Sequence, residues 1–67
     1  MNFYKKAILI LTKRMQANGG TIRIHRLSDA EKFIWRMEQE GKVEFVERHS
    51  DDSATYRLKS AQTGAQP

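Results

Sequence analysis

Following Asn2, apolar residues recur at three- and four-residue steps as Phe3, Tyr4, Ala7, Ile8, Leu11 and Met15, which describes one wide stripe of a helix capped by Asn2. Asn18-Gly19-Gly20 ends it. A position just past a helix favours the left-handed conformation that glycine takes without a Cβ clash, so the spacing predicts a helix over 3–18. Its opposite arc carries Lys5, Lys6, Thr12, Lys13 and Gln16, interrupted by Leu9. Thr21-Ile22-Arg23-Ile24-His25 then alternates polar and apolar, the period of a short half-buried strand with Ile22 and Ile24 inward. Ser28 with Glu31 three residues later reads as a capping box. Behind it Ala30, Phe33, Ile34 and Met37 share one face of a second helix over 29–40, which Gly41 closes.

Residues 43–49 and 54–59 are strand-like runs separated by Ser50-Asp51-Asp52-Ser53, a turn-rich tetrapeptide, and so predict an antiparallel hairpin. With Asp51-Asp52 at the tip, Phe45 faces Leu58 and Glu44 faces Lys59. The expected core is Ile24, Ile34, Met37, Phe45, Tyr56 and Leu58. From Ser60 onward no large apolar residue remains, so 1–59 reads as one α+β domain and 60–67 as a disordered tail.

Sixty-seven residues permit a single small core. The absence of cysteine excludes disulfides and thiolate metal sites and fits a reducing cytoplasm. No apolar run reaches the roughly 18 residues of a membrane span, and the short run Ala7 to Leu11 is followed at once by Lys13-Arg14 without a cleavage site, so neither a membrane nor export is expected. His25 and His49 have no carboxylate at ligand spacing and no glycine-rich phosphate loop exists, so no metal, cofactor or enzymatic activity is expected.

Charge distribution changes the picture more than the net +4 does. Residues 1–26 hold six basic groups (Lys5, Lys6, Lys13, Arg14, Arg23 and Arg26) and no acid, whereas all eight acids lie between Asp29 and Asp52. On the second helix the arc opposite Ala30, Ile34 and Met37 consists of Ser28, Lys32, Trp35, Arg36 and Gln39, residue types suited to phosphates and base edges. Trp35 at that outward position either folds back over the wing or helix 1 as peripheral core, or presents an indole suited to stacking on nucleic acid or to an interface hot spot.

Leu27-Ser28 through Phe33-Ile34-Trp35-Arg36-Met37-Glu38-Gln39-Glu40-Gly41-Lys42-Val43, followed by a strand, a polar loop and Thr55-Tyr56-Arg57-Leu58, resembles the recognition helix and wing of bacterial winged helix-turn-helix regulators. The stretch from Ile24 to Ser28 is too short for the helix that normally precedes the recognition helix. The resemblance implies a winged-helix-like domain of helix, short strand, helix and hairpin wing. It further implies a small DNA-binding regulator of bacterial or phage type. Double-stranded DNA would meet Lys5, Lys6, Arg23 and Arg26 at its phosphates and helix 2 at its bases. The alternative is a winged-helix-derived module that modulates a protein partner through Trp35. Leu9 adds a candidate contact for a homodimer through helix 1.

Overall fold

The computed structural model describes residues 3–59, arranged as α1 (Phe3–Ala17), β1 (Thr21–Ile24), α2 (Asp29–Gln39), β2 (Val43–Arg48) and β3 (Ala54–Leu58). The Asn2 cap and the tail over 60–67 lie outside these residues. It is a small α+β domain of two helices and a three-stranded antiparallel sheet in the order β1-β3-β2. The last strand in sequence is therefore the central one.

The helix stripes pack as their spacing requires. Leu11 and Met15 of α1 and Ile34 and Met37 of α2 meet Ile24, Val43, Ala54 and Tyr56 of the sheet in one buried cluster. Ile8, Ile22, Ala30, Phe33 and Leu58 pack around its margin. Gly41 adopts φ +79° after α2, and the Lys42 amide donates to the Met37 carbonyl at 2.9 Å, the six-to-one bond of a Schellman ending. A side chain at Gly41 would be strained there even though its surroundings are open.

The start of α2 departs from the predicted capping box. The Ser28 hydroxyl donates back to the His25 carbonyl at 2.7 Å and leaves the first helical amides alone. The Glu31 carboxylate instead accepts the Leu27 amide at 3.0 Å. The reason is the tight turn His25–Ser28, whose third residue, Leu27, sits at φ +64°. A non-glycine residue costs on the order of 1–2 kcal/mol in that region, and the Glu31 hydrogen bond offsets part of it.

The hairpin register also differs from expectation. Phe45 pairs with Tyr56 and Glu44 with Arg57, rather than with Leu58 and Lys59, and Val43 takes Leu58. The Glu44 carboxylate accordingly accepts from Arg57. Val46 is an extra residue between the Phe45 and Glu47 pairings, a bulge that lets the strand absorb a five-residue loop over 49–53. Phe45 keeps its inward side and lies edge-on to Tyr56 at 5.8 Å, yet it remains 45% exposed and is not core. Its strand is the sheet's border, and no element covers the ring from beyond it.

Candidate interaction surface

α2 turns Ile34 and Met37 into the core, so its helical period sends Lys32, Trp35, Arg36 and Gln39 to the opposite arc. The structure brings these four residues together. With Tyr4 and Phe33 they line a shallow open groove of about 350 Å³. Trp35 is 48% exposed, so the indole is neither buried nor fully presented.

The first turn of α1 supplies the other wall. Phe33 meets Phe3 edge-on at 6.1 Å and Tyr4 at 6.0 Å. The Arg36 guanidinium lies 4.8 Å over the Tyr4 ring while its Nε donates to Glu40 at 3.2 Å. Glu40 also meets Lys42 at 3.2 Å. The Lys42 hydrogen bond, helped by one from the Tyr4 hydroxyl, holds the Glu40 carboxyl below its ordinary range. Tyr4 is pushed the other way, by burial first and by Glu40 second. Arg36 is thus fixed between an aromatic face and a carboxylate, whereas Lys32 and Gln39 extend without such anchors. Phe3, Tyr4, Phe33 and Glu40 were not assigned to the surface by sequence. The first three sit in apolar stripes that read as core, and only the four-residue step from Arg36 to Glu40 signalled the ion pair.

The remaining predicted residues do not join this arc. Ser28 is occupied at the turn before α2, and Arg26 stands exposed on that turn. Lys5 and Lys6 are exposed on α1. Lys5 borders a second groove with Ile8, Leu9 and Thr12 on one side and Glu40 and Lys42 on the other. Leu9 is not alone, because Ile10 beside it is also exposed. Antiparallel pairing of two α1 helices centred on Leu9 would set Lys5 against Lys13 of the second copy, and like charges so placed repel.

Arg23 of β1 is held by the loop between β2 and β3. Its Nε donates to Ser53 Oγ at 2.7 Å and its Nη2 to Asp51 at 3.2 Å. Asp51 also accepts the Ser53 amide at 3.0 Å and the Ser53 hydroxyl at 2.6 Å, and Ser53 is fully buried. The Ser53 hydroxyl and amide first, and Arg23 after them, hold the Asp51 carboxyl far below its ordinary value. A depressed carboxylate contributes stability that is complete above the unfolded pKa of about 3.9 and is lost as pH falls toward the folded value. Melting temperature is therefore expected to fall between pH 5 and pH 2 in the wild type and to fall less in Asp51→Asn, which is already less stable at pH 7. Parallel pH profiles for the two proteins would show that Asp51 does not hold the loop. In the same loop His49 is half-buried and hydrogen-bonds Thr55 Oγ1 at 2.6 Å.

These pairings sort the charges. Arg23, Arg36, Lys42 and Arg57 each meet a carboxylate. Among the described residues Lys5, Lys6, Lys13, Arg14, Arg26, Lys32, Arg48 and Lys59 form no ion pair, and four of these eight stand on α1. Among the described residues no three His, Cys, Asp or Glu side chains gather as metal ligands, and no helix is long and apolar enough to cross a membrane. No protein-family model, curated protein or solved structure matches the chain.

Proposed function

We propose that the chain is a small DNA-binding regulator of winged-helix type, with α2 as the helix that enters the major groove and β2–β3 as the wing. The observation that carries this reading is the outward arc of α2, where Lys32, Trp35, Arg36 and Gln39 line one surface. Lysines contact phosphates irrespective of sequence, whereas the Gln39 amide has the donor and acceptor needed at an adenine edge. The order of helix, strand, helix and hairpin supports the winged-helix assignment.

Each phosphate contact releases a counterion, so three to five contacts give a slope of log K against log salt of roughly −3 to −4. Fluorescence anisotropy with a mixed-sequence duplex between 50 and 200 mM salt measures it. Lys32→Ala is expected to flatten the slope by about one, and Gln39→Ala to cost about 1–3 kcal/mol and to relax preference at one base pair. Absence of binding at about 50 mM salt, where the electrostatic attraction is strongest, overturns the proposal.

One observation favours the second reading, a protein-docking module. Arg36 is held by Tyr4 and Glu40 amid Phe3, Phe33 and Trp35, a composition closer to an interface hot spot than to a phosphate-binding patch. In that case Trp35→Ala removes about 2 kcal/mol or more of partner affinity and leaves duplex affinity unchanged.

A further inference from the structure

β1 is an outer strand of the sheet, and an open groove runs along it. The groove measures about 560 Å³ and is lined by all of β1, by Leu11, Arg14 and Ala17 of α1, and by Ala30 of α2. It lies apart from the Lys32 and Trp35 surface and shares no lining residue with it.

The backbone of β1 has a definite polarity. In an antiparallel pair alternate residues turn both their N–H and C=O groups to the neighbour. The Leu58 amide donates to the Gly20 carbonyl at 2.8 Å, and Ile22 and Ile24 stand opposite Tyr56 and Ala54. Gly20, Ile22 and Ile24 therefore address β3, and Thr21, Arg23 and His25 address the open side. Two carbonyls there are already engaged, that of Thr21 by Asn18 Nδ2 at 3.3 Å and that of His25 by the Ser28 amide and hydroxyl. The Thr21 amide and both backbone groups of Arg23 face outward along the groove.

Charge and apolar lining specify the occupant. Leu11, Ala17, Ile22, Ile24 and Ala30 give the groove an apolar floor. Arg14, Arg23 and His25 are its ionisable lining, with no carboxylate among the residues that line it. Arg23 is tied to Asp51, which leaves Arg14, and Arg26 just beyond the strand, to meet a ligand's charge. A second copy of β1, Thr21-Ile22-Arg23-Ile24, carries no carboxylate to meet them.

We propose that the open edge of β1 receives an extended acidic segment of a partner protein as a fourth strand. Its backbone bonds Thr21 and Arg23, and its side chains on the helix-facing side enter the groove, the apolar ones against the floor and a carboxylate against Arg14, with a second carboxylate near Arg26. Main-chain pairing supplies affinity in such strand addition, and alternate side chains supply selectivity.

The test is a titration of the uniformly 15N-labelled full chain with a synthetic octapeptide Thr-Val-Thr-Glu-Thr-Val-Thr-Glu, whose valines and glutamates share one face of an extended strand. Saturable shifts at the amides of residues 21–25, together with slowed hydrogen exchange of the Thr21 and Arg23 amides, are the expected result. Two control peptides, one with lysine in place of glutamate and one with a central proline that removes a strand donor, are expected to bind at least fivefold more weakly. Arg14→Glu is expected to weaken the acidic peptide about fivefold, the scale of one exposed charge pair lost. Arg14 is exposed on α1, so the variant keeps the core intact. No shift in β1 at millimolar peptide overturns the proposal, as does equal affinity for either control or for Arg14→Glu. Concentration-dependent shifts of the same amides without peptide would identify the occupant as a second copy and overturn it equally.

Discussion

Ile34→Ala is expected to unfold a large part of the population at 37 °C. Ile34 has no exposed surface and stands in the middle of α2, where α1, α2 and the sheet meet in the buried cluster. Truncation to alanine removes its transfer free energy and leaves a cavity, together about 2–5 kcal/mol. A chain of 67 residues has a total stability of only about 3–10 kcal/mol at ordinary per-residue values, so the loss is a large fraction of the whole. Chemical denaturation should show the midpoint move sharply down, while Ile34→Val, which keeps most of the volume, costs about 0.5–1.5 kcal/mol. Equal midpoints for wild type and Ile34→Ala would mean that α2 presents a different face to the core.

Tyr56→Ala is expected to cost about 3–5 kcal/mol, and Phe45→Ala only about 1 kcal/mol. Both rings lie on the helix-facing side of the sheet and touch each other. Tyr56 occupies the central strand between Ile22 and Phe45 and is 3% exposed. Phe45 loses chiefly its edge-on contact, because nearly half of its surface already faces water. Urea unfolding of the two variants separates them, and a Phe45→Ala cost equal to that of Tyr56→Ala would restore Phe45 to the core.

The same pair of residues shows what the amino-acid pattern conveys and what it omits. Period-two alternation placed Phe45 and Tyr56 on the correct face, since side-chain direction is a local property of a strand. Which strand is central is a property of the assembled sheet. The position of β3 between β1 and β2 rests on contacts between residues more than thirty apart, such as Ile22 with Tyr56. The Val46 bulge shifted the hairpin register for a related reason, because one inserted residue barely alters the hydrophobic pattern. Both helices were legible from their stripes and closing glycines. The arc of Lys32, Trp35, Arg36 and Gln39 followed from the same helical period. The partners of Arg23 and Arg36 were less accessible. Arg23 reaches Asp51 across the sheet, and the Tyr4 ring under Arg36 comes from another helix. By contrast, the Asp51-x-Ser53 spacing is a local turn signature that foreshadows the Asp51 to Ser53 bonds.

The two borders of the sheet are unlike. β2 ends the sheet with a bulge at Val46 and with Glu44, Glu47 and Arg48 along its length, features that discourage edge-to-edge contact. β1 is short, regular and followed by a groove. Lateral growth is thus open in one direction and obstructed in the other. Copies of the chain therefore cannot stack head to tail through β1 of one against β2 of the next, and the open edge of β1 is kept from seeding a fibre of this chain.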